Sequence, residues 1–117
     1  MRYNNLVLRL LFLLVVMIPA PALVSAQDAQ SSAEQGVWID VRTPEEFATG
    51  HLEGAVNIPH TDIADRIAAL VTDKDTPIHL YCRSGTRAGM ALEILMEMGY
   101  QDVINEGGYE AIVAKQQ

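Results

Sequence analysis

The sequence predicts an α/β fold, a small parallel sheet flanked by helices with an active-site loop at the carboxyl end of one strand. Two observations predict it. Short, mostly apolar runs alternate with stretches carrying helix signals from residue 37 to residue 115, and such alternation implies parallel pairing with right-handed crossovers. The single cysteine, Cys82, closes one of the apolar runs just before a helix opens. Open α/β sheets place their functional crevice beyond the carboxyl ends of the strands, so the thiol falls where this architecture does chemistry.

Each element has a local reason. VWIDV (37–41) is a short run of strand formers. Thr43 follows, then Pro44, with Glu46 three residues after Thr43. That is a capping box with proline at the first helical position, and Gly50 should end the short helix. AVNIP (55–59) reads as a second strand, stopped by Pro59. Thr61 is placed to cap a helix with Ile63, Ile67, Leu70 and Val71 on one face. Asp62 and Asp65 suit its positive N-terminus. PIHLYC (77–82) is the third strand. Residues 86–98 form the longest helix, with Ala91, Ile94, Leu95 and Met98 inward, Glu93 and Glu97 outward, and Gly99 as its stop. DVIN (102–105) is the fourth strand, and YEAIVAK (109–115) a closing helical turn or two.

The N-terminus has a different character. Arg2 and Arg9 precede an unbroken apolar run from Leu10 to Ile18, Pro19 and Pro21 break it, and Val24-Ser25-Ala26 supplies small residues. This order is that of a secretory signal peptide cleaved after Ala26. The run is well short of the ~20 residues that span a bilayer, so no stable membrane insertion is expected after cleavage. Residues 27–36, QDAQSSAEQG, read as a flexible linker, leaving 37–117 as one small domain. Without Arg2 and Arg9 the eight basic residues become six, against fifteen acidic ones, a formal charge of −9. Such a surface offers no basic patch for nucleic acid or anionic lipid. Export, to the periplasm or beyond, implies an oxidising compartment in which cysteines usually pair. One cysteine has no partner within the chain, so it is either inert and buried or a free thiol kept for chemistry.

The stretch YCRSGTR (81–87) favours chemistry. Its loop runs into a helix N-terminus, whose unpaired N–H groups carry partial positive charge. Gly85 lets the backbone curl so that the amides of Arg83, Ser84, Gly85, Thr86 and Arg87 converge on one point. The Arg83 and Arg87 side chains add charge to an otherwise acidic chain. A thiol there should titrate below its ordinary value. Four residues separate Cys82 from Arg87, and the sixth position after the cysteine is Ala88. Cysteine-dependent phosphatases have one more residue in the loop, so this tighter loop suits a smaller group, such as one sulfur atom carried on the cysteine.

Three segments in order, DVRTPEEFATGHLEGAVNIP, YCRSGTRA and MGYQDVINEGGYEA, resemble the rhodanese-like sulfurtransferases over roughly residues 36–115. With a leader ahead of one short domain, the chain is most similar to their periplasmic phage-shock-protein-E type. The resemblance implies the three-layer rhodanese-like fold and thiosulfate sulfurtransferase activity. Cys82 would take the outer sulfur of thiosulfate, or of another sulfane-sulfur donor, as a persulfide. It would release sulfite and pass the sulfur to cyanide or a thiol acceptor, with no metal or organic cofactor. The loop amides would hold the persulfide, and the Arg83 and Arg87 guanidinium forks the sulfonate. A monomer is expected. Two positions depart from the family pattern: Ala88 stands where serine is common, and Ile112 where an aromatic residue is common.

Other polar residues are read as structural. Asp40 can anchor a loop at the end of the first strand, and Arg42 can pair with Glu46 across the first helical turn. His51 is expected to bond to backbone, His79 to be a satisfied histidine on its strand, and His60 to face solvent. Trp38 is expected to pack in the core, and Gly107-Gly108 to form a tight turn near the sheet's carboxyl edge. The histidines and the cysteine lack metal-site spacing. Three other functions compete: a non-catalytic rhodanese-like sulfur carrier or partner-binding module, a phosphatase or arsenate reductase on the same fold, and a thiol redox protein. Retention of Cys82, Gly85 and Arg87, the short loop, and the lack of a resolving cysteine argue against these in turn.

Overall fold

The computed structural model describes residues 35–117. The expected leader, and all but the last two residues of the expected linker, lie outside the described residues. Those last two are packed against the domain. The Gln35 carbonyl bonds to His79 at 2.9 Å. Gly36 adopts φ +83°, where a Cβ would collide with the Pro77 carbonyl.

The elements run β1 (Val37–Asp40), α1 (Pro44–Thr49), β2 (Val56–Asn57), a 3₁₀ turn (His60–Asp62), α2 (Ile63–Leu70), β3 (Ile78–Cys82), α3 (Thr86–Glu97), β4 (Val103–Gly108) and α4 (Tyr109–Lys115). Strand order is β2-β1-β3-β4, all parallel. The carboxyl ends of β1 and β3 therefore lie side by side at the centre, with Asp40 opposite Tyr81.

Residue period assigns the two faces. Ile78, Leu80 and Cys82 share a core with Ile39, Val41, Ile63, Ile67, Ala88, Ala91 and Leu95. This is the side covered by α2 and α3. Burial of one such aliphatic side chain is worth about 1.5–3 kcal/mol. Tyr100 ties the far ends of the two helices by donating its hydroxyl to the Val71 carbonyl at 2.7 Å. On the other face Tyr81 stacks near Tyr109, the first residue of α4. That layer is thinner, since neither α1 nor α4 has a fully buried residue.

Four expectations change. The second strand shrinks to two residues. Thr61 caps nothing: the 3₁₀ turn precedes α2, and no side chain caps either one. Trp38 is half-buried and stacks on His79 at 4.6 Å instead of entering the core. Gly107 and Gly108 form no separate turn but end β4, where they pair with Tyr81 and Cys82. Glu106 is the extra residue of a bulge there, between the Leu80–Asn105 and Tyr81–Gly107 pairs.

Candidate active site

Two strand-to-helix turns build the site. The first follows β1. Asp40 is fully buried, and its carboxylate accepts from the Arg42 backbone N–H at 2.9 Å and from the Arg42 guanidinium at 2.7–3.1 Å. Arg42 also donates to the Gly50 carbonyl at 2.6 Å and lies over the Tyr109 ring, 4.7 Å from its centroid. Asp40 thus anchors the loop as expected. Arg42, however, pairs with Asp40 and not with Glu46. Burial pushes the neighbouring Tyr81 hydroxyl up to about 12, against the opposing Leu52 N–H and with the Asp40 carboxylate adding to it.

Glu46 is engaged elsewhere. The Thr43–Glu46 capping box forms as predicted. The same carboxylate then accepts both arms of the Arg87 guanidinium, at 2.6 and 3.0 Å. Parallel bonds of this kind are among the stronger side-chain contacts. The Arg87 side chain is therefore held by α1, 41 residues away in sequence.

The second turn follows β3. Cys82 is fully buried, and the Gly85 N–H donates to its Sγ at 2.9 Å. Gly85 caps α3 in the left-handed conformation, φ +100°, with no side-chain cap on the helix. Burial alone would push the Cys82 thiol up. The backbone N–H groups of Ala88, Ser84, Gly85 and Arg87 outweigh it and hold the thiol below its ordinary value. At position 88, where serine is common, alanine still contributes its amide. Ser84 and Thr86 are exposed at the rim, and Arg83 is exposed with no ion pair among the described residues.

The third support came from β4 and was missed in the sequence. The Asn105 side chain donates to the Gly85 carbonyl at 2.9 Å and accepts the Gly107 N–H at 3.0 Å. It staples the cysteine loop to the bulge. Gly108 lies so close to the loop that a Cβ would collide with the Arg83 carbonyl. A polar residue two before a glycine pair is the only sequence signal that could have marked Asn105. Asn57 holds the first turn similarly, donating to the Asp40 and Arg42 carbonyls at 3.0 Å each.

The histidines stay outside the site. His51 bonds to the Phe47 carbonyl at 2.8 Å, and His79 to Glu106 at 2.8 Å. His60 is only half-exposed, in the 3₁₀ turn. No group of three or more His, Cys, Asp or Glu among the described residues could hold a metal ion. Nor, among them, is any helix long and apolar enough to cross a membrane. Beside the cysteine loop opens a cleft of ≈ 360 Å³ lined by Arg42, Glu46, Thr49, Arg83, Tyr109 and Glu110.

The arrangement stabilises a sulfur anion and, among the described residues, leaves the Arg83 guanidinium at its lip without an ion pair. Known proteins with similar chains fit that chemistry. A family model described as the rhodanese-like domain matches residues 24–115. Thiosulfate sulfurtransferase PspE of Escherichia coli is 48% identical over 64% of this chain and 72% of its own. Thiosulfate sulfurtransferase GlpE of Pseudomonas aeruginosa is 33% identical over 74% of this chain and 79% of its own. A solved structure titled rhodanese with anions, from E. coli, superposes with a TM-score of 0.63 at 47% identity, covering 64% of this chain and 88% of that one.

Proposed function

The chain belongs to the rhodanese-like domain family, and from that premise we propose that it is a thiosulfate sulfurtransferase working through a persulfide on Cys82. The observation that carries this reading is the ring of backbone N–H groups around Cys82 Sγ, which lowers the thiol against the effect of burial. The thiolate attacks the outer sulfur of thiosulfate. A new S–S bond forms, the S–S bond of thiosulfate breaks, and its electron pair leaves with sulfite. Sulfite is weakly basic, so no strong general acid is needed. The amides of Ser84, Gly85, Arg87 and Ala88 then face the persulfide anion, preorganised as an oxyanion hole is. An acceptor thiol or cyanide removes the outer sulfur and restores the thiolate.

The other site residues take distinct roles. Arg83 is the guanidinium free to hold a sulfonate, while Arg87 shapes the loop through Glu46. Thr86 starts the helix whose amides do the work. The leader (1–26) directs export to the periplasm or beyond, the linker (27–36) precedes the domain (37–117), and the mature protein acts as a monomer.

Intact mass after thiosulfate treatment tests the reading. Wild type should gain one sulfur, and folded Cys82→Ser none, with thiocyanate formation from cyanide abolished. Substantial transfer by folded Cys82→Ser would end the persulfide mechanism. A wild type that binds no sulfur would instead point to a non-catalytic module.

A further inference from the structure

The cleft beside the loop carries charge of both signs, but most of it is already spent. Arg42 is committed to Asp40 and Glu46 to Arg87. Two charges remain without an ion pair among the described residues: Arg83, from the cysteine loop, and Glu110, from the first turn of α4. Both are exposed to incoming solute. Gly108, which precedes the Tyr109–Glu110 wall, pairs with Cys82 across the sheet. The cleft therefore opens next to the sulfur cradle.

We propose that the sulfur acceptor is a small zwitterionic thiol, an amino-acid-like molecule whose carboxylate meets Arg83 and whose ammonium meets Glu110. This rests on the sulfurtransferase reading above. Size agrees: ≈ 360 Å³ lies at the small end of ligand clefts, about 300–1,000 Å³. The order of events agrees too. Arg83 holds the sulfonate during loading, is vacated when sulfite departs, and is then free for the acceptor's carboxylate. The acceptor thiolate attacks the outer sulfur of the Cys82 persulfide. A new S–S bond forms as the bond to Sγ breaks, the electron pair returns to Cys82, and the proton lost by the acceptor goes to solvent. The step involves no net oxidation. Glu110 disfavours acceptors bearing only negative charge, so the selectivity comes from both residues together.

The test separates loading from discharge. Cys82 would be loaded with excess thiosulfate, freed of donor, and its persulfide confirmed by intact mass. Discharge would then be timed with cysteine, cysteamine, 3-mercaptopropionate and 2-mercaptoethanol, each rate expressed per thiolate. Cysteine should be about fivefold faster than 2-mercaptoethanol, the size expected of partly exposed ion pairs. Cysteamine should fall between, and 3-mercaptopropionate, drawn by Arg83 but opposed by Glu110, should lie close to 2-mercaptoethanol. Glu110→Gln should erase the advantage of the amine, and Arg83→Ala that of the carboxylate. Normal loading followed by rates that ignore acceptor charge would overturn the inference while leaving the sulfurtransferase reading intact. A cysteine preference that survives both substitutions would overturn it as well. Failure of the wild type to load would sink the sulfurtransferase reading itself, and this inference with it.

Discussion

The turns after β1 and β3 are neighbours with the same job, turning a parallel strand into a helix, yet they are built oppositely. The turn before α1 is closed by its own side chains. Thr43 and Glu46 cap the first amides, Pro44 removes one donor, and Asp40 takes the Arg42 N–H. The turn before α3 has no side-chain cap at all, and its amides converge on a sulfur atom. Helix starts leave orphan N–H groups that must find partners. Where side chains take them the turn is structural, and where none does they remain for an anion. Glu46 belongs to both turns, which makes the structural one a brace for the chemical one.

The contrast breaks most severely at Gly85. Its φ of +100° is the conformation that aims its N–H at Sγ, and a Cβ there would stand 3.4 Å from the Gly107 Cα. Gly85→Ala should relax the turn toward negative φ and turn that donor away. Loss of one preorganised donor costs about a hundredfold in turnover, so sulfur transfer should fall by roughly that factor. The thiol should also titrate higher, read by pH-dependent alkylation of Cys82. Near-normal alkylation and turnover would mean that the amides of Ser84, Arg87 and Ala88 suffice without Gly85.

Much of this was legible in the sequence because it is local. Thr43, Pro44 and Glu46 announce α1, Gly85 and Gly99 bracket α3, and the mostly apolar run 77–82 marks β3. The proposed site from Cys82 to Arg87 was readable for the same reason, since one short segment carries the proposed nucleophile and most of the amides around it. What failed depends on distant chain. Two arginines near a cysteine announce charge, but nothing in that segment says that one of them belongs to Glu46. Glycines 107 and 108 have the composition of a turn. They extend β4 beside the cysteine loop, Gly108 because a Cβ there would collide with the Arg83 carbonyl and Gly107 because its φ is +93°. Asn105 acts through a bulge whose register no local pattern encodes.

The brace itself is tested by Glu46→Gln. The Arg87 guanidinium, ahead of the opposing effect of burial, lowers the Glu46 carboxyl to about 2. The unfolded chain takes up that proton near pH ~4.3. The pair's contribution is therefore full above pH ~4.3 and fades as the pH falls toward 2. Glu46→Gln should cost about 1 kcal/mol at neutral pH, since the pair is partly exposed. It should also flatten this part of the acid dependence in denaturant titrations. With Arg87 released, sulfur transfer should fall about tenfold or less, a smaller loss than that of Gly85→Ala. A variant with full activity would show that the two turns work independently.

Thr43→Ala separates capping from bracing, and its effect on transfer should be the smallest. The Thr43 hydroxyl accepts the Glu46 N–H at 3.2 Å and donates to Glu46 Oε1 at 3.2 Å, so losing it leaves one helical donor to solvent and removes the weakest of the bonds to that carboxylate. Such a cap is worth about 1 kcal/mol, or a drop in Tm of about 4–8 °C for a domain of this size. The bond from the Thr43 backbone N–H to Glu46 Oε1 does not need the hydroxyl, and both arms of Arg87 keep their carboxylate oxygens. Stability should therefore fall while kcat/KM for thiosulfate stays within about twofold of wild type. Thermal unfolding and steady-state kinetics on the same preparation would read both. If Thr43→Ala lost as much activity as Glu46→Gln, the position of α1 and not the Glu46–Arg87 pair would be holding the loop, and the first turn would be part of the catalytic machinery in its own right.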